Sequence, residues 1–440
     1  MRLSVSLVAL AFIAAQPSAP GALLLEGARI LVGDGRPAIE NGSLLVRDDA
    51  IVRVGRPDEI GAPAGAVRVD VRGKTIIPGL INLHGHVGYL NGTTFSADNY
   101  TRETIVDQLN RYLYYGVVAV MSCGTDPGDL PFQLRADMHT GAIFRTAGRG
   151  FALPNASTGN AAMRGAPYGI STEEDARSDV RELAAKKPDF VKVWVDDRNG
   201  TFPKLPPALY RALIDEAHKH DLRVVAHVYY LADAQELVRA GADGFLHLVR
   251  DAEMDDALVE AMRARRIFVT PNISGSEAAT QAAPPAWLDD PVLGETTPAA
   301  VLAKVRSTFT SRRNTAAAAT SYARQQRSLA KLLAAGVTIA LGDDTGIENT
   351  FFGYGEHHEL ELMVAAGMTP MQTIVAATST PAALLHLDRL GTIAPGKQAD
   401  FVVLDASPLE SIGNTRRIWK VYQRGREVDR AAMRARWNPR

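Results

Sequence analysis

Apolar residues follow two rhythms along this chain. Between residues 73 and about 385, short apolar, β-branched runs alternate with longer stretches whose apolar positions recur every three or four residues. The first rhythm predicts buried strands and the second predicts helices with one apolar face. Strands are predicted at 76–83, 117–121, 143–147, 190–195, 223–228, 244–248, 267–271 and 337–342. Helices are predicted at 102–115, 172–186, 207–220, 231–240, 252–264 and 316–335. Eight strands alternating with helices imply an α/β fold whose parallel sheet closes on itself as a (β/α)8 TIM-like barrel.

The two ends of the chain read differently. Strand-like runs at 22–25, 28–32, 43–47 and 51–55 are separated by turn signals at Gly33-Asp34-Gly35 and Asn41-Gly42. Matching runs at 400–405 and 418–428, with Arg424-Gly425 at a turn, suggest that the ends pair as one small β unit. Residues 273–315, rich in Ala, Pro, Ser and Thr, are long for a strand-to-helix connection. A lid or substrate loop and an inert surface excursion fit them equally well. At the start, Arg2, an apolar run over 3–15 and small residues at Ala14-Ala15 match a secretory signal peptide, the alternative being a plain N-terminal strand or tail. The run is too short to span a bilayer comfortably. Periplasmic or secreted location is the corresponding expectation.

Composition narrows the function classes. The 440 residues are 46% hydrophobic and 22% charged, with a net charge of −1. That is enough for a large core and offers no basic patch for nucleic acid and no stable membrane insertion. Cys123 is the single cysteine, so no internal disulfide can form, and its place after a strand-like run favours a buried structural thiol.

The chemistry is concentrated at strand ends. In Ile76-Ile77-Pro78-Gly79-Leu80-Ile81-Asn82-Leu83-His84-Gly85-His86 a buried strand ends in two histidines one residue apart, which point to the same face and could share a metal. His227 and His247 each close an apolar run, and Lys192 sits inside one. A buried lysine is costly, and burial lowers its pKa toward a free amine. The last strand runs through Gly342 into Asp343-Asp344.

This pattern resembles the amidohydrolase superfamily, most closely its imidazolonepropionase-like and Xaa-Pro dipeptidase (prolidase)-like metal-dependent hydrolases. The resemblance is strongest at 73–90, 337–346 and 357–405, including Leu390-Gly391-Thr392-Ile393-Ala394-Pro395-Gly396-Lys397-Gln398-Ala399-Asp400. It implies a barrel at 73–388 and a β-sandwich from 21–72 and 389–440, after a signal peptide and spacer at 1–20. It implies two divalent metal ions, best matched by Zn2+ with manganese or cobalt as alternatives. His84, His86 and Asp344 would hold one and His227 and His247 the other. Lys192 either pairs with a nearby carboxylate or, as in binuclear relatives, takes up CO2 and bridges both ions. A hydroxide between the ions would attack an amide carbonyl, with Asp344 as the catalytic proton carrier. Asp343 competes with Asp344 for that role.

Substrate contacts are expected from Tyr229, Tyr230, Arg149, Arg164 or His357. His218 and His220 read as helix-end caps, and His139 and His386 as structural or exposed. Two departures stand out: Asn82 replaces a common aspartate, and 153–164 lacks a loop histidine seen in relatives. The implied reaction is hydrolysis of N-acyl amino acids or dipeptides, extending to ochratoxin-type aryl amides. The alternative is a cyclic amide or lactone at the same site. A non-catalytic barrel would be expected to have lost ligands, and all six are present. The implied partner is a small-molecule or short-peptide substrate, and related barrels commonly form homo-oligomers.

Overall fold

The computed structural model describes residues 21–138, 140–156, 158–310 and 315–438. The expected signal peptide, His139 and part of 273–315 lie outside them. Within them the fold is α/β, and its strands divide between two environments.

One is a mixed sheet built from both ends of the chain. Leu23–Ile30 pairs antiparallel with Ile39–Arg47, and that strand with Ala50–Gly55. Leu23–Ile30 also pairs parallel with Val67–Asp70 and with Thr75–Pro78. Thr75–Pro78 then pairs antiparallel with Phe401–Leu404, which continues to Ile418–Gln423 and Arg426–Glu427. Leu25, Ile30, Ile76, Phe401 and Tyr422 share its apolar core.

The other environment is parallel. Leu80–Gly85, Val117–Ser122 and Ile143–Thr146 lie side by side. Val191–Val195, Val224–Val228, Gly244–Leu246 and Phe268–Thr270 form a second parallel run. Asp189 N–H donates to Thr146 O at 2.9 Å, joining the two runs. Apart from Ile143–Thr146, these strands are buried on both faces, which is why they read as near-continuous apolar runs.

The sequence expectation of one strand at 76–83 is corrected to two. The chain changes sheet at Gly79, where a Cβ would lie 2.4 Å from Val118 Cγ1. The expected strand at 337–342 is present only as isolated bridges. Val269 N–H donates to Thr338 O, Ala340 N–H to Val269 O and Leu83 N–H to Leu341 O, each at 2.9 Å. Leu341 N–H instead meets Ala376 O at 2.7 Å, so no continuous ladder forms.

Helices flank the parallel strands at Arg102–Tyr114, Glu173–Ala185, Pro207–Lys219, Leu231–Ala240, Asp256–Arg265 and Thr315–Ala334. In the first, Ile105, Leu109, Tyr112 and Leu113 form the buried stripe that its periodicity predicts. The described part of 273–315 holds helices at Ser274–Thr280, Pro291–Gly294 and Ala299–Thr310. It is tied down by Tyr115 Oη donating to Val292 O at 2.8 Å and by Tyr114 Oη donating to Glu295 at 2.5 Å. Cys123 is buried, and burial pushes its thiol up to about 12. Among the described residues no helix is long and apolar enough to cross a membrane.

Candidate active site

The ends of the parallel strands open into a cavity of about 810 Å³. His84, His86, Lys192, His227, His247 and Asp344 all line it. Asp344 Oδ1 lies 3.4 Å from His84 Nε2 and 3.1 Å from His86 Nε2, and Oδ2 lies 4.0 Å from His247 Nε2. His84, His247 and Asp344 form a group whose ligand atoms lie within 4.8 Å of one another. His227 and His247 have ring centroids 4.4 Å apart, and His84 and His247 5.0 Å.

Local backbone aims these groups. His247 has φ 114° and Asp344 φ 62°, a region costly for side chains with a Cβ. Asp344 N–H donates to His84 O at 2.9 Å, and His86 N–H to Thr345 O at 2.7 Å. Gly346 makes this possible, since a Cβ there would lie 1.6 Å from His86 O.

Three of the four histidines have one ring nitrogen facing a group that can accept its hydrogen. The Asn272 amide is oriented with its oxygen toward His84, because its NH2 then meets Thr270 O and Gly342 O at 3.0 Å and its oxygen meets His84 Nδ1 at 2.5 Å. His86 Nδ1 contacts Thr125 Oγ1 at 2.8 Å, and His227 Nε2 contacts Asp196 Oδ2 at 3.1 Å. Each partner can accept the ring N–H. That leaves a lone pair on His84 Nε2, His86 Nε2 and His227 Nδ1. His84 Nε2 is buried with no hydrogen-bond partner. His247 differs: its Nδ1 lies 3.2 Å from Arg250 Nη2, which can only donate.

Electrostatics agree with neutral imidazoles beside an anion. Burial holds His84 and His247 well below the ordinary histidine value, and burial with the Arg198 charge lowers His227 to about 3. Burial alone would raise Asp344, but its contacts with His84 and His86, including a hydrogen bond from His86, and the nearby Lys192 hold it well below the usual carboxylate range. Lys192 is fully buried, its Nζ has no hydrogen-bond partner, and burial lowers it to about 8. Among the described residues no carboxylate lies within ion-pair distance of Lys192, so the pairing that was one of its two sequence expectations is not made, although Asp344 is close enough for its charge to be felt.

Asp343 faces away from this cluster in its bonding. It accepts from Thr345 and from Asn82 Nδ2 at 2.9 Å, and the same Asn82 amide donates to Glu356 at 2.6 Å. Burial raises Asp343 to about 6 and Glu356 well above its ordinary value. Asn82 therefore supplies the N–H donors that two buried carboxyl groups share.

Of the expected substrate contacts, Tyr229 lines the cavity. The other four are directed elsewhere. Tyr230 Oη donates to Asp197 at 2.7 Å. Arg149 donates to Ala166 O and Pro167 O at 2.7 and 3.0 Å. Arg164 donates to Thr158 O and Gly159 O at 3.2 and 3.1 Å, bracing a loop that does reach the cavity. His357 is buried between Thr415 Oγ1 and Tyr115 O, both at 2.9 Å. Sequence reasoning missed Thr125, Asp196, Asn272 and Arg250. Asp196 directly follows the strand Val191–Val195, the one usable signal.

Comparison with known proteins adds the following. A family model described as "Amidohydrolase family" matches residues 75–430. Ochratoxinase of Aspergillus niger is 26% identical, the match covering 91% of this chain and 83% of the relative. A solved Xaa-Pro dipeptidase with bound methionine in the active site superposes with TM-score 0.72 at 20% identity, covering 93% of this chain and 100% of that one. Phenylurea hydrolase B gives TM-score 0.72 at 22% identity, covering 94% and 98%.

Proposed function

Because the chain belongs to the amidohydrolase family and is a hydrolytic enzyme acting on amide bonds, we propose that it cleaves the amide bond of N-acyl amino acids or dipeptides with two divalent cations. On this reading the parallel strands are a (β/α)8 barrel over 73–388, and the end segments 21–72 and 389–440 are a β-sandwich. The observation that carries it is the convergence of four histidines, Asp344 and a buried lysine with no hydrogen-bond partner on one cavity.

The residues fit such a pair of cations. His84, His86 and Asp344 would hold one, and His227 and His247 the other. Three of the four imidazoles present a prepared lone pair. The fourth, His247, does so once Arg250 leaves its Nδ1. The nitrogen and oxygen donors match Zn2+. The free amine of Lys192 would add CO2, forming an N–C bond and releasing one proton, and the resulting carboxylate would be a further oxygen donor for the cations. Bound divalent cations supply Lewis acidity toward the carbonyl and make a water molecule acidic.

The chain's own residues do the rest. Asp344, kept ionised by its surroundings, takes the proton of the attacking water and delivers it to the leaving nitrogen. Asp196 fixes the His227 ring, and Thr125 and Asn272 fix those of His86 and His84. The name of one similar protein supports the substrate class: it is a dipeptidase, and its structure holds methionine, which carries a free carboxylate.

Metal titration tests the reading. Chelated protein is expected to take up two equivalents of Zn2+ in the presence of bicarbonate. D196N, which loses the anionic hold on His227, is expected to weaken one of them by roughly 10- to 100-fold. Uptake of a single equivalent, or unchanged affinity in D196N, would contradict the assignment.

A further inference from the structure

Arg250 follows His247 by three residues and lines the same cavity. Its backbone is fixed from both sides: its N–H donates to Tyr229 O at 2.8 Å, and its carbonyl accepts from Ser321 Oγ at 2.8 Å. The other guanidinium in the cavity, Arg198, pairs with Asp196 at 3.0 Å. Among the described residues no carboxylate lies within ion-pair distance of Arg250, and its Nε is buried with no hydrogen-bond partner.

A guanidinium has five N–H donors and no acceptor. Leaving such a donor buried and unmatched is costly, more so for a charged group. The contact Arg250 does make, to His247 Nδ1, cannot persist in a loaded site. If His247 Nε2 gives its lone pair to a cation, Nδ1 carries the hydrogen, and two donors then face each other. The guanidinium must find its acceptor elsewhere, and it already borders the cavity. The Tyr229 ring, 5.8 Å from the guanidinium carbon, offers it an aromatic neighbour on the same wall.

We propose that Arg250 is the specificity-determining anchor for the substrate's carboxylate, which replaces His247 as its partner. The proposal rests on the amide-hydrolase reading and deepens it. The amine half of the substrate would carry an α-carboxylate, three bonds from the scissile carbonyl carbon, received by the planar guanidinium fork. Small residues on the facing helices, Gly275, Ala279, Ala317 and Ala318, leave space for that residue's side chain.

The test is calorimetric binding to the Zn2+-loaded protein of two probes that cannot be turned over: 3-phenylpropionate and the electrically neutral 3-phenylpropyl alcohol. Wild type is expected to prefer the carboxylate, and R250M to weaken carboxylate binding by roughly 30-fold or more while leaving the alcohol unchanged. R250K, which keeps the charge and most of the packing, is expected to fall between them and serves alone if R250M does not fold. Carboxylate affinity equal to wild type in R250M, or in R250K where only that variant folds, would overturn the anchor, as would no preference in wild type. Turnover of N-acetyl-L-phenylalanine is measured in parallel. An Arg250-dependent preference without any amide turnover would keep the anchor and reject the amidase reading. Amide turnover with an Arg250-independent preference would do the reverse.

Discussion

Asp344→Asn is expected to lower kcat by roughly 10³- to 10⁵-fold, because one substitution removes both a metal ligand and the proton carrier. The amide keeps nearly the same shape, so the cavity and its other residues should remain in place. Asp344 is the carboxylate within 3.4 Å of both His84 and His86. Its left-handed backbone, held by the N–H bond to His84 O, leaves little freedom to reposition it. Asp343→Asn should cost much less activity, since Asp343 borders the cavity but its oxygens are taken up by Thr345 and Asn82. Steady-state kinetics with folding checked by circular dichroism reads both. Equal losses in the two variants, or a larger loss in Asp343→Asn, would mean that the roles are reversed.

Lys192→Ala is expected to reduce turnover by on the order of 10³-fold through loss of the bridge. Added short carboxylates should restore part of it by occupying the vacated space. Stability should move the other way. In the metal-free protein Lys192 has a pKa lowered from 10.5 to about 8. The unfolded chain therefore binds the proton more tightly between those values, and stability rises as pH climbs through that window. Below pH 8 the full penalty is present, about 3 kcal/mol from the size of the shift. Metal-free Lys192→Met, of similar volume, should thus be more stable than metal-free wild type at pH 7, the difference shrinking toward pH 10. Chemical denaturation at the two pH values measures this. A Lys192→Met protein that is less stable at pH 7 would show that the ammonium has a partner in the fold.

The ligand positions were legible because strand ends carry their own signature. His84, His86, His227 and His247 each interrupt an apolar run, and period-two alternation tells which residues share a face. Lys192 stood out for the same reason, a charge in a run with no other. What orients these residues was not legible, because each orienting partner comes from a different strand. Asn272 reaches His84 across 188 positions and Thr125 reaches His86 across 39. No local pattern encodes such pairs. Only Tyr229 of the five expected substrate contacts lines the cavity, because arginine and tyrosine near a strand end look alike in sequence whether they face a cavity or a carbonyl. Arg149 and Arg164 spend their donors on backbone oxygens, and Tyr230 turns to Asp197 while its neighbour Tyr229 faces inward. Arg250 carried no signal in the sequence, since its lack of a carboxylate partner is a property of the fold alone. The 273–315 stretch read as a loop from its Pro and Ser content, yet it holds short helices, of which Ser274–Thr280 walls the cavity through Gly275, Ser276 and Ala279.

The central claim is metal-dependent hydrolysis of an amide that bears a carboxylate. The most direct test offers Zn2+-loaded protein with bicarbonate a panel of N-acyl amino acids and dipeptides, with cyclic amides and lactones alongside, and follows free amino acids by mass spectrometry. Release of amino acids that stops on chelation and returns with Zn2+ is the expected result. Turnover confined to the cyclic compounds, or amide cleavage that survives chelation, would contradict it.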